Sequence, residues 1–213
     1  MIKFENAIPP SAGQQYVAIR GARNAMNSWS KSDSKIIAPR GIPNILPVQF
    51  VIGENDLLLA RRLIKAGTDH RKFLRMLPIM VDITAPVYWI TELDTYKIST
   101  VRNSCSFMHK GLAKEFELSD FDTKTDDCKE TFEEIVAVLN ILREKYLENK
   151  DDKIFQQIRC LLPSGYLQKF TWSANYEVLM NIYHARKNHR LEEWRTFCEW
   201  IEELPLMKEF LEI

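Results

Sequence analysis

The sequence predicts an α+β fold, because amphipathic helical stripes occur together with shorter strand-like runs. Phe132, Ile135, Val138, Leu139, Leu142 and Tyr146 recur at helical spacing. Trp194, Phe197, Cys198, Ile201 and Leu204 form a second apolar stripe. Between such stretches, Ile79 to Ile83 is short, β-branched and partly alternating, and Leu167 to Trp172 suits a second strand. The 213 residues, 46% apolar and 27% charged, suffice for one substantial core. No repeat, low-complexity segment or clean boundary divides them, so residues 1–213 are expected to form a single domain.

The elements follow in order. A short strand-like start precedes a helix expected over Gln14 to Met26, and Ser30 to Pro47, rich in Ser, Pro and Gly, reads as a long loop. Glu54-Asn55-Asp56 opens a helix over Leu57 to Ala66, stopped by Gly67. Thr68-Asp69 can cap a further helix running through Phe73 and Met76 to Pro78. Pro86 suits a helix first turn, with Val87 to Tyr96 continuing helically. Ile98 to Lys110 is ambiguous between loop and edge strand. Asp127-x-x-Glu130 has the pattern of a capping box before the Phe132 helix. Asp151 to Leu161, Asn175 to Arg186 and Glu192 to Leu204 complete the helices.

Charge and cysteine usage exclude several classes. Basic and acidic residues both number 29, so no net field draws the chain to nucleic acid or to a membrane. Arg20, Arg23, Arg61, Arg62, Arg71, Lys72 and Arg75 nevertheless make the first third basic, either as solvated faces or as a cleft for an anionic small molecule. Cys105, Cys128, Cys160 and Cys198 lie far apart without metal-ligand spacing, and His184 and His189 cannot share a helix face, so no metal site is expected. Reduced thiols, no signal-peptide layout and no long apolar run predict a soluble cytoplasmic protein.

The informative segment runs from Leu162 to Arg186. Asn175, Leu179, Ile182 and Arg186 fall at i, i+4, i+7 and i+11, so one helix face begins and ends polar with apolar residues between. A buried arginine needs an acceptor; either Arg186 pairs with a carboxylate or reaches solvent, or it serves a ligand. Leu162-Pro163, Lys169, Trp172, Asn175, Leu179, Asn181 and Arg186 resemble, without a gap, the C-terminal signature of flavin-dependent thymidylate synthases: L-P, a basic residue six places on, an aromatic, then N-x-x-x-L-x-N-x-x-x-x-R. Thr84-Ala85-Pro86 and Val87 to Lys97 resemble the passage into that family's R-H-R-x-x-S-x-N-E-x-S-x-R-Y motif. There Glu92 stands where Gln is usual, Thr95-Tyr96-Lys97 replace R-H-R, Thr100 takes the first Ser position, and Ser106 fits the later Ser with one inserted residue.

The resemblance implies a twisted, mainly antiparallel sheet flanked by helices, and a homotetramer that shares its active sites. It implies that Glu92, Thr95, Ser106, Lys169 and Arg186 contact a pyrimidine deoxynucleotide, and that Tyr96, Lys97, Asn175 and Asn181 lie at FAD. The implied reaction is reductive methylation of dUMP to dTMP, with NADPH and methylene-tetrahydrofolate as co-substrates and no protein nucleophile. Cys105 is accordingly expected to be a buried or half-buried inert thiol, and Tyr88, Trp89, Trp172 and Trp194 to be core. Two arginines of the motif are replaced; at about 1.5–3 kcal/mol each their loss removes roughly 3–6 kcal/mol of nucleotide binding unless Lys97, Arg102 or Lys110 substitutes. Two alternatives follow: a non-catalytic nucleotide-binding or interaction homologue, and a flavin-linked pyrimidine modification whose pocket is altered at Tyr96 and Glu92.

Overall fold

The structure, a computed structural model, describes residues 1–37, 48–124 and 126–212. Its elements in chain order are β1 (Lys3–Ile8), α1 (Ala12–Ala22), β2 (Lys35–Ile37), β3 (Gln49–Val51), α2 (Glu54–Lys65), β4 (Pro78–Pro86), α3 (Val87–Leu93), β5 (Val101–Ser104) and α4 (Phe107–Lys110). Then come α5 (Lys129–Asn149), α6 (Asp152–Leu161), β6 (Leu167–Asn175), α7 (Tyr176–Arg186), α8 (Glu192–Glu202) and α9 (Met207–Leu211). This is the mixed α+β architecture expected. Four strands form a sheet in the order β1-β4-β6-β5, and β2 pairs antiparallel with β3, Ile36 opposite Phe50.

Strand β4 shows why these residues make a sheet. Ile79, Val81, Ile83 and Ala85 are fully buried while Met80 between them is half exposed, the two-residue alternation of a strand packed on one face. That alternation continues beyond Ile83, so the strand is longer than its β-branched run. Pro86 keeps an extended backbone as the N-cap of α3, a role its fixed φ allows. In β6, Phe170, Trp172 and Ala174 turn inward and Lys169 and Thr171 outward.

Two compact units divide the chain. One comprises Met1–Glu5, Asp82–Tyr96 and Arg102–Trp172; the other comprises Asn6–Val81, Lys97–Val101 and Ser173–Ile213. In the first, α5 packs on α6 around Leu139, Phe155 and Ile158, with Leu112, Phe116 and Phe121 buried beside them. In the second, Ile19, Leu74, Trp194, Phe197 and Phe210 are fully or almost fully buried, and Phe73 meets Phe210 edge-on at 5.9 Å.

Several boundaries depart from expectation for local reasons. Helix α1 starts at Ala12 because Ser11 and Gln14 cap it reciprocally; Asn24–Met26 is a separate 3-10 turn ended by Asn27 in the left-handed region. Thr68-Asp69 caps no α-helix: Gly67 at φ +101° redirects the chain, and Lys72–Met76 forms only a 3-10 turn before β4. Thr95 and Tyr96 close α3 with 3-10-type bonds to Glu92 and Leu93 instead of extending it. The expected capping box at Asp127 is not used, because Cys128 precedes α5 with helical backbone, whereas a side-chain cap needs an extended one. The Ser30-to-Pro47 loop expectation meets a 3-10 turn at Trp29–Lys31 and strand β2; residues 38–47 lie outside the described residues.

Candidate functional site

The expected site residues fall in both units. In the first, the chain leaving β5 is tied to β6: Cys105 N–H donates to the Lys169 carbonyl at 3.0 Å, and the Gln168 amide donates to the Cys105 carbonyl at 2.8 Å. These bonds bring Cys105, Ser106 and Phe107 beside Tyr166, Leu167, Gln168 and Lys169 around a cavity of about 190 Å³. Phe107 and Tyr166 meet edge-on at 5.8 Å within its wall, and burial pushes the Tyr166 phenol up from its ordinary value. Gly111 completes the lining; a Cβ there would fall 2.4 Å from the Phe107 ring.

Ser106 and Lys169 are therefore brought together. Lys169 Nζ lies 2.9 Å from Glu5, which also holds Lys3 at 2.9 Å. The hydrogen bond to Glu5 raises the Lys169 ammonium above its ordinary value, and Lys3 with Lys169 lowers the Glu5 carboxyl. Cys105 is corrected: it is exposed, not buried, because it follows an edge strand where the chain turns outward.

Glu92 and Thr95 meet at the end of α3, where the Thr95 hydroxyl donates to the Glu92 carbonyl at 2.7 Å. Glu92 and Tyr96 are half-buried and Thr95 is exposed. Nearby, Arg102 forks onto Asp94 with bonds of 2.9 and 2.8 Å, contacts the Ser104 hydroxyl and lies over the Phe170 ring at 5.5 Å. Its guanidinium is thus held by the fold. Lys97 belongs to the second unit, where it is exposed.

In the second unit the remaining residues lie along α7. Asn175 is its N-cap, its side-chain oxygen accepting from the Glu177 and Val178 amides at 3.0 and 3.2 Å. The Asn181 oxygen accepts from Arg71 at 2.8 Å. Arg71 also donates to Glu177 at 3.3 Å, and Arg75 bonds the other oxygen of that carboxylate. Glu177 is buried and Arg75 is 45% exposed, with Asp69 also acting on Arg75. The basic character of Arg71 and Arg75 is visible in the sequence, but nothing there marks Glu177, whose partners lie 106 and 102 positions away.

Arg186 ends α7, eleven residues and about 16 Å from Asn175. Its guanidinium lies 4.7 Å from the centre of the Trp194 ring and contacts His189 Nε2 at 2.9 Å. Trp89, Trp172 and Trp194 are buried as expected, although Trp194 also offers its face to Arg186. His184 sits between, its imidazole held below the ordinary value by partial burial and by Lys187 and Arg71.

The comparisons with known proteins bear on this arrangement. The profile of the thymidylate synthase complementing protein family matches residues 13–208. The chain belongs to that family. No curated protein matches it in sequence. Among solved structures it is similar to Thymidylate Synthase X from Helicobacter pylori, determined with FAD and dUMP, at a TM-score of 0.68 and 16% identity, covering 99% of this chain and 96% of that one. A second structure of the Helicobacter pylori enzyme, complexed with FAD and dUMP, gives a TM-score of 0.64 and 18% identity over the same shares. At such identities the likeness establishes the fold. No described helix of the chain is long and apolar enough to cross a membrane.

Proposed function

We propose that the chain is a flavin-dependent thymidylate synthase-like protein whose residues 1–213 act as one functional domain, binding a pyrimidine deoxynucleotide and FAD. The family match over residues 13–208 carries this reading. Arg186 and Lys169 are the proposed nucleotide cations, with Glu92, Thr95 and Ser106 as further substrate contacts. Asn175 and Asn181, with Tyr96 and Lys97, are the proposed cofactor residues. Arg75, half exposed, and Arg71, which also bonds Asn181, cluster around Glu177 beside the proposed cofactor residue Asn181. Asn175 positions α7 in this reading, since its oxygen is committed to the helix end.

Bound FAD would supply the hydride for reductive methylation of dUMP to dTMP, with NADPH and methylene-tetrahydrofolate as co-substrates. The protein's part is to orient and polarise the pyrimidine. We further propose a homotetramer in the cytoplasm. One observation favours a second reading, a non-catalytic nucleotide-binding homologue: Arg102, a candidate to replace the missing motif arginines, is forked onto Asp94. A flavin spectrum tests the proposal. Purified protein that is yellow and oxidises NADPH in a dUMP-dependent manner supports the synthase reading; flavin-free protein that gains stability with dUMP alone supports the second; protein indifferent to both ligands contradicts both.

A further inference from the structure

Lys169, one of the two cations proposed for the nucleotide, is already engaged by the protein itself. Strand β4 lies between β1 and β6, yet Glu5 of β1 and Lys169 of β6 meet across it, the ammonium 2.9 Å from the carboxylate. At about 4.8 Å per strand, their backbones are roughly 10 Å apart. Thr171, on the same outward face of β6, donates instead to Asp82 of the adjacent strand β4 at 2.6 Å. Hydrogen bonds from Lys3 and Lys169 lower the Glu5 carboxyl, and the bond to Glu5 raises the Lys169 ammonium, so both groups stay charged.

Two features make this pair a contact that a ligand can open. Glu5 also accepts from Lys3, through its other oxygen at 2.9 Å, so a Glu5 that loses Lys169 keeps a cation. The Lys169 side chain is 51% exposed and that of Glu5 33%, the setting in which an ion pair contributes little against water. Lys169 also lines the cavity of about 190 Å³ beside Ser106 and Gln168. The Gln168 amide gives one hydrogen to the Cys105 carbonyl at 2.8 Å and keeps a second. An ammonium, a hydroxyl and an amide N–H around one cavity match the oxygens of a phosphate, which carries more charge than the single carboxylate it would replace.

We propose that Glu5 is an internal competitor for Lys169: it holds the ammonium over the sheet and yields it to the phosphate of an entering nucleotide. The inference rests on the assignment of Lys169 to the nucleotide and adds a control on that site. Binding transfers Lys169 from Glu5 to the ligand and leaves Glu5 with Lys3, so strand β1 tempers the grip of the cavity on anions. The opposite role, a carboxylate that positions Lys169 for the ligand, predicts the opposite sign on substitution.

Titration calorimetry of the full chain with dUMP separates the two. Glu5→Gln keeps the shape of the side chain but not its charge, and is expected to tighten dUMP binding about threefold, the effect of removing a competitor with the strength of an exposed ion pair. Asp82→Asn removes a carboxylate that acts on Lys169 through space while bonded to Thr171, and is expected to change the affinity less. Thermal unfolding confirms that each variant is folded. Weaker or unchanged binding in Glu5→Gln, or an equal gain in Asp82→Asn, would overturn the proposal. Native protein that does not bind dUMP, or Lys169→Ala that binds it as tightly as native protein, would instead sink the assignment of Lys169 and this inference with it.

Discussion

Two arginines of the same unit, Arg23 and Arg186, show opposite ways of housing a guanidinium. Arg23 is 5% exposed and bonds Asp56, whose fully buried carboxylate also accepts from Ser32 at 2.7 Å and from the Ser34 hydroxyl and amide. Asp33 supports the same corner by accepting from the Asn55 and Asp56 amides at the start of α2. That approach requires Gly53, where a Cβ would fall 2.2 Å from the Asp33 carboxylate. Arg186 instead ends a helix half-buried, laid over Trp194 and touching His189. The first arginine is enclosed by a carboxylate network that builds the fold. The second lies on an aromatic plane beside an imidazole.

This contrast predicts unequal consequences of substitution. Asp56→Ala leaves Arg23 buried without its carboxylate and is expected to cost about 3–5 kcal/mol in denaturant unfolding; a cost near zero would remove the network from the fold's main supports. The same site predicts an acid limb. Burial raises the Asp56 carboxyl, but hydrogen bonds from Ser34, Ser32 and Arg23 outweigh it and hold the group below its ordinary value. Its stabilisation is therefore present above the unfolded-state carboxylate range and is lost as pH falls through the lower folded value. Unfolding measured against pH should show a flatter acid limb in Asp56→Asn than in the native protein.

Smaller effects sharpen the other side. Arg186→Ala removes a cation resting on an aromatic ring, a contact of about 0.5–2 kcal/mol, and is expected to lower stability by at least that much. Asn175→Ala removes the α7 cap and is expected to cost about 1 kcal/mol, with Asn175→Ser recovering most of it. Lys169→Ala should leave unfolding unchanged, because its pair with Glu5 is at the surface, while weakening nucleotide binding in titration calorimetry.

What the sequence revealed and concealed follows the same division between local and distant causes. Helix α7 was legible from Asn175 to Arg186 because its cap and spacing are local, and α2 because Gly67 stops it where a positive φ is needed. The clamp of Glu177 by Arg71 and Arg75 was not legible: its partners are distant in sequence, and no periodicity encodes their meeting. The same holds for Asp33, which caps α2 from more than twenty positions away. Helix α9 escaped notice because it begins after Leu206 in the left-handed region, a turn that leucine does not advertise. Cys105 is exposed against expectation because cysteine's general preference for burial says nothing about the edge strand it follows.

The claim on which the functional account depends is that Arg186 faces a nucleotide and is not a structural cation. Thermal unfolding of native protein and Arg186→Ala, each with dUMP at a concentration one hundred times the native dissociation constant, tests it directly. The account predicts about 2.7 kcal/mol of stabilisation in the native protein and none in the variant. Equal stabilisation of both proteins would contradict it.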